Sequence, residues 1–124
     1  MTPAPFVLIV DDSEQNRKLV RDVLGAAGFA TLEAATGAEA IALASEHVPD
    51  VILMDLRLPD MDGAEAARRI GQGPAAQIPV VALSSSPVDG GEWLRDAGFA
   101  GHVEKPISVR DFPDQVRGYC RRGC

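Results

Sequence analysis

Cysteine is nearly absent from the sequence: Cys120 and Cys124 are the only two, and both fall in the last five residues. A pair so placed cannot staple the body of a domain, and the expectation is of two reduced thiols near a chain end. Only His47 and His102 could join them around a metal, and no closed Cys/His spacing of the zinc-site kind is present. Basic charge is also short, with 12 Lys and Arg against 18 Asp and Glu and a formal net charge of −6. An acidic domain gains little from a polyanion, so no nucleic-acid partner is expected, and the cluster Arg117, Arg121 and Arg122 is too small to change that. No window approaches the roughly 20 apolar residues of a membrane span. The opening MTPAPFVLIVDD lacks the basic start and long apolar stretch of a secretory signal. The expectation is a cytoplasmic protein with no membrane partner. There is no GxxxxGK[ST] loop and no GxGxxG after the first apolar run, which excludes a P-loop nucleotidase and argues against a dinucleotide site.

What is present is ordinary for a globular domain. Hydrophobic residues make up 46% of the chain and charged residues 24%, enough apolar surface to offset chain entropy. A length of 124 residues suits a single domain, taken here as 1–124, with no internal repeat, low-complexity tract or linker. Phe6–Val10, Val51–Met54 and Val80–Leu83 are short continuous apolar runs. Such runs suit central strands of a parallel sheet covered on both faces. Thr31–Ala34 is more mixed, as an edge strand would be, and Gly101–Glu104 reads as a fifth strand.

Helical segments lie between them. Ser13 caps a predicted helix with Leu19, Val20, Val23 and Leu24 on one side, ending near Gly28. Thr36 to Glu39 has capping-box spacing and opens a helix through Ile41 and Leu43. Asp62 to Glu65 is a second box, opening a helix to about Ile70. Gly90–Ala97 predicts a short helix, and Val109–Cys120 a last one, with Pro113 tolerable only in its first turn. Regular β-α alternation implies a doubly wound α/β sheet with right-handed crossovers.

In open α/β sheets ligands bind beyond the carboxyl ends of the strands. There the sequence places Asp11 and Asp12 after the first run, Asp55 after the central one, Ser84, Ser85 and Ser86 after the next, and Lys105 with Pro106 after the last. Each alone has a plain explanation: a helix cap, a turn former, a loop hydroxyl, a surface lysine. Their joint placement on one rim does not. Clustered carboxylates repel unless protonated or bridged by a cation, and few oxygen ligands with open positions suit Mg²⁺ and phosphate oxygens. Mg²⁺, an ammonium and a hydroxyl are the groups that neutralise a phosphoryl group in transfer, and a carboxylate can itself be the nucleophile. An aspartate-nucleophile phosphatase would want a second carboxylate two residues after Asp55, where Arg57 stands. A flavin phosphate would be repelled by Asp11 and Asp12. Met54 and Leu56 read as core, Arg57 as exposed and able to tune phosphate lifetime by its charge, Arg68 and Arg69 as a solvated helix face, and His47 as an exposed loop residue.

The stretches LIVDDSEQNRKLV, DVILMDLRLPDMDG, IPVVALSSS and HVEKPISVRDF resemble the response-regulator receiver domain of two-component signalling, most closely single-domain receivers of cell-cycle and phosphorelay type. The resemblance implies a flavodoxin-like five-stranded parallel sheet in the order 2-1-3-4-5. It implies Asp55 as phosphoacceptor and Mg²⁺ held by Asp11, Asp12 (the more directly) and Asp55, with the backbone carbonyl of Arg57 as a further ligand. Ser84 would hydrogen-bond the phosphoryl group, Lys105 would pair with it, and Lys105–Pro106 would be a cis peptide. The partners implied are a histidine kinase or histidine phosphotransfer protein and a downstream protein target. The protein would not be an enzyme in the turnover sense, catalysing only its own phosphorylation and dephosphorylation. Two departures stand out. His102 occupies the place of the family's Tyr or Phe that turns inward on activation. The segment from Ser84 to Ala97 is slightly short and carries Pro87, Gly90 and Gly91, so the fourth helix should start late. Two other readings stay open: an interaction module that is never phosphorylated, and the regulatory piece of a larger transcription factor, hybrid kinase or cyclase.

Overall fold

The computed structural model describes residues 5–73, 76–84, 96–105 and 107–120. The strands are β1 (Phe6–Val10), β2 (Ala30–Ala34), β3 (Val51–Asp55), β4 (Val80–Ser84) and β5 (Gly101–Glu104). The helices are α1 (Glu14–Ala26), α2 (Gly37–His47), α3 (Gly63–Ile70) and α4 (Phe112–Tyr119). All strand pairs are parallel and the sheet order is β2-β1-β3-β4-β5. The predicted helix Gly90–Ala97 falls mostly outside the described residues, as do Ser85, Ser86 and Pro106 with its expected cis peptide.

Strand side chains alternate between faces, and the core is accordingly double. Leu8, Val10, Ile52, Met54, Val80 and Ala82 pack toward α2 and α3. Val7, Ile9, Leu53, Val81, Leu83 and Val103 pack toward α1 and α4. With both faces covered, β1, β3 and β4 bury almost every residue, which is why they read as unbroken apolar runs.

Local signals set the helix starts. The side chains of Ser13, Thr36 and Asp62 accept from the amides of Asn16, Glu39 and Glu65 at 3.3, 3.1 and 2.7 Å. At α2 the return half of the box is displaced, since Glu39 accepts from Ala35 rather than from Thr36. Three expectations are corrected. The last helix begins at Phe112, not Val109, because Pro113 occupies its first turn and the preceding residues form a turn in which Asp111 and Phe112 donate to the carbonyl of Ser108. Leu19 leaves the buried stripe of α1 and is 44% exposed, Val20 and Leu24 taking the core positions. Cys120 is buried against the α1–α4 core and is disulfide-bonded rather than a free thiol. Arg57, Arg68 and Arg69 are exposed as expected, and His47 is exposed too but ends α2 rather than lying in a loop. Among the described residues no helix is long and apolar enough to cross a membrane.

Candidate functional site

Four strand ends converge on one rim. Asp11 follows β1 and is 1% exposed, whereas its neighbour Asp12 is exposed. Asp55 is the last residue of β3 and half-buried, Ser84 the buried last residue of β4, and Lys105 follows β5. Carboxylate oxygens of Asp11, Asp12 and Asp55 lie within 4.8 Å of one another. Lys105 Nζ stands 2.9 Å from Asp11 Oδ2 and 3.5 Å from Asp55 Oδ2. Its position is set by the backbone, because the Lys105 amide donates to the Ser84 carbonyl at 2.7 Å. The sequence-selected residues Asp11, Asp12, Asp55 and Lys105 are thus brought together, with Ser84 beside them at the end of the adjoining strand. His102 is not among them: it is exposed on β5, in register with Ala82 of β4.

Asp11 is held on every side. Its Oδ1 accepts from the Ser13 amide at 2.9 Å, its own amide donates to Ala34 O at 3.1 Å, and its carbonyl accepts from Arg17 Nη1 at 2.7 Å. Asp55 Oδ1 accepts from the Arg57 amide at 3.0 Å, which keeps the turn after β3 close to the carboxylate. That turn folds back tightly. Gly63 donates to Leu56 O at 2.9 Å, and a Cβ at Gly63 would lie 2.5 Å from Asp55 O, so a side chain there would displace the Asp55–Leu56 peptide. Asp60 ties the same turn to α2, accepting from the amides of Gly37 and Ala38 at 2.8 and 3.0 Å. Those two N–H groups hold the Asp60 carboxyl below its ordinary range.

The electrostatics favour a cation. Burial pushes the Asp55 carboxyl up, and the charge of Asp11 adds to the rise, while the Arg57 amide and Lys105 oppose it. Three carboxylates against one ammonium leave an excess of negative charge. An oxygen-only donor set, partly open to solvent, fits a hard divalent ion such as Mg²⁺ and fits zinc poorly. Asp12 makes no hydrogen bond or ion pair among the described residues, and its carboxylate is therefore available to such an ion.

Residue-by-residue reading of the sequence missed Arg17, which reaches the Asp11 carbonyl from α1, Glu33, which holds Arg17 from β2, and Asp60, which ties the turn after β3 to α2. Arg17 did leave one trace: a cation in the second turn of α1, near the helix end that disfavours positive charge, calls for a partner.

A family model described as "Response regulator receiver domain" matches residues 7–117. The polar-differentiation response regulator DivK of Brucella ovis is 39% identical over 115 residues, covering 91% of this chain and 94% of the relative. Among solved structures, the chemotaxis response regulator CheY4 of Vibrio cholerae superposes with a TM-score of 0.87 at 27% identity, covering 94% of this chain and 98% of that one. The receiver domain of sensor histidine kinase PA1611 from Pseudomonas aeruginosa, solved with a magnesium ion coordinated in its active-site cleft, gives a TM-score of 0.85 at 26% identity, covering 94% and 97%.

Proposed function

The chain belongs to the response regulator receiver domain family, and from that membership and the rim geometry we propose that Asp55 is the acceptor of a phosphoryl group. Receiver domains are signalling modules that bind Mg²⁺ in an acidic pocket and work with kinases or phosphotransfer proteins and with downstream targets. The observation that carries the assignment here is the convergence of Asp11, Asp12 and Asp55 oxygens within 4.8 Å, with Lys105 2.9 Å from one of them.

An Asp55 carboxylate oxygen attacks the phosphorus of a phosphohistidine, the P–N bond breaks, and the electron pair returns to the imidazole. Mg²⁺, held by Asp11, Asp12, Asp55 and the backbone carbonyl of Arg57, would supply charge neutralisation on the transferring oxygens. Lys105 answers the remaining negative charge, already placed within 3.5 Å of Asp55. Ser84 offers its hydroxyl to a phosphoryl oxygen and, in moving toward it, passes the change to the β4 end. His102, smaller and more polar than an aromatic, follows with weaker coupling. Hydrolysis by water returns Asp55, so the protein turns over no substrate but its own acyl phosphate.

The donor is a histidine kinase or a histidine phosphotransfer protein, the output a protein target, and the compartment the cytoplasm, with residues 1–124 acting as one receiver unit. A small cleft of about 50 Å³ lined by Asp11, Lys105, Asn16, Leu19, Val20 and Ile107 adjoins the site, on the face where a protein donor would dock. Exposed Leu19 lines that cleft together with Asp11 and Lys105 and offers an apolar contact there.

With Mg²⁺ and acetyl phosphate the protein should gain one acid-stable, base-labile phosphoryl group, and Asp55→Asn none; equal labelling of the variant refutes the assignment. Leu19→Asp should slow transfer from a protein donor while leaving acetyl phosphate labelling unchanged. Beryllofluoride, a phosphoryl mimic, should shift the backbone NMR signal of Ser84 strongly and that of His102 modestly. Shifts confined to the acidic residues would refute the switch.

A further inference from the structure

A second charged group sits behind the acidic pocket. Arg17 lies on α1 with its side chain only 17% exposed. Its Nη1 donates to the carbonyl oxygen of Asp11 at 2.7 Å, the peptide that joins Asp11 to Asp12. Its Nε meets Glu33 Oε1 of β2 at 3.2 Å, and the other oxygen of Glu33 takes Arg21 at 2.8 Å. The Asp11 amide is meanwhile bonded to Ala34, the residue after Glu33. The acidic turn is thus gripped at both its N–H and its C=O, and both grips lead to the same edge strand.

We propose that Arg17 is a positioning residue for the metal site: clamped by Glu33, it orients the Asp11–Asp12 peptide and so aims the Asp12 carboxylate at the cation. The inference rests on the Mg²⁺ reading of the pocket given above. Asp11 needs no such help, since its carboxylate already has the Ser13 amide and Lys105. Asp12 has neither, and the direction of its side chain depends on the peptide that precedes it.

Two effects of Arg17 oppose each other. Its hydrogen bond orders the turn, whereas its positive charge would repel Mg²⁺. Glu33 decides between them. At 3.2 Å its carboxylate, shared with Arg21, offsets part of the guanidinium's field, so the bond's orienting effect outweighs the repulsion. The two residues therefore have separable signatures. Loss of Arg17 removes orientation, a short-range effect that salt does not screen. Loss of Glu33 charge exposes repulsion, which salt does screen.

Mg²⁺ affinity of the full chain is measured by calorimetry at low and high ionic strength, beside thermal midpoints without metal. Arg17→Met should bind Mg²⁺ about tenfold more weakly at both ionic strengths, the low end of what partners of metal ligands contribute. Arg17→Lys reaches only one of the two acceptors and should recover part of the loss. Glu33→Gln should bind weakly at low salt and regain most of its affinity at high salt. If Arg17→Met does not fold, the Lys and Gln variants carry the test. Affinities within about twofold of the parent in the Arg17 variants, with only the midpoint lowered, would make Arg17 a brace between α1 and β2 and overturn the proposal. Asp12→Ala separates the two levels. If the parent binds Mg²⁺ and Asp12→Ala does not, the pocket stands whatever Arg17 does. If the parent binds none, the metal reading fails and this inference falls with it.

Discussion

Strand β3 is bracketed by two aspartates with opposite fates. Asp50, just before it, is 7% exposed, and its carboxylate accepts from the Phe6 amide at 2.8 Å while its own amide donates to Phe6 O at 2.8 Å. Asp55, at the other end, faces two more carboxylates and an ammonium. Asp50 answers a need of the backbone, closing the start of the β1–β3 ladder where a strand leaves an amide unpaired. Asp55 answers no backbone need beyond one amide in its own turn, and burial raises the energy of its charged form. The same residue type therefore closes a strand ladder at one rim and joins a cluster of charges at the other, where the proposed chemistry lies.

The sharpest separation is in phosphorylation. Asp55→Asn should abolish labelling by acetyl phosphate, and Asp50→Asn, which keeps an acceptor for Phe6, should label like the parent. Equal loss in both would erase the distinction. Metal linkage comes next. At Mg²⁺ a hundredfold above its dissociation constant the parent should gain about 2.7 kcal/mol of stability. Asp12→Ala should gain little, and Asp50→Asn as much as the parent, in denaturant melts with and without the ion. Third, Asp50→Ala leaves the part-buried Phe6 amide without this acceptor and should cost about 1–3 kcal/mol in the same melts.

A smaller effect follows from the raised carboxyl of Asp55. The folded state holds that proton more tightly than the unfolded chain. Stability from this group is therefore fully present below the ordinary carboxylate range and lost as pH rises through the raised folded value. Metal-free Asp55→Asn should accordingly be more stable than the parent at about pH 7, and the gap should close toward about pH 3. A variant no more stable at neutral pH would mean that burial does not strain this carboxylate. The smallest effect belongs to the lower rim. Val48 ends α2 with φ at +47°, a left-handed conformation that a β-branched residue adopts at a cost, and Pro49 follows it. Val48→Gly should raise stability by ~1 kcal/mol and leave Mg²⁺ binding untouched.

The contrast between the rims also explains what the sequence made legible. Buried strands announce themselves as unbroken apolar runs, so β1, β3 and β4 and the charged residues at their ends could be located from the chain alone. Asp11, Asp12, Asp55 and Lys105 needed no knowledge of side-chain direction, because a strand end points where its strand points. Arg17 and Leu19 did need it: which face of α1 meets Glu33 and which stays exposed is settled by packing against β2. That Cys120 is buried beside α4 and disulfide-bonded is something two cysteines near a chain end did not suggest. The start of α4 was displaced by a turn around Ser108 whose hydrogen bonds no periodicity marks.

Among the described residues, the 2.7 Å bond from the Lys105 amide to the Ser84 carbonyl is the last rung between β4 and the outermost strand. Edge strands open locally long before a domain unfolds. Each such opening withdraws the site's only described ammonium and exposes the Lys105 amide to solvent in the same event. Deuterium uptake at that single amide therefore clocks how often the pocket dismantles itself. On heating, loss of phosphoryl acceptance should run ahead of loss of the fold.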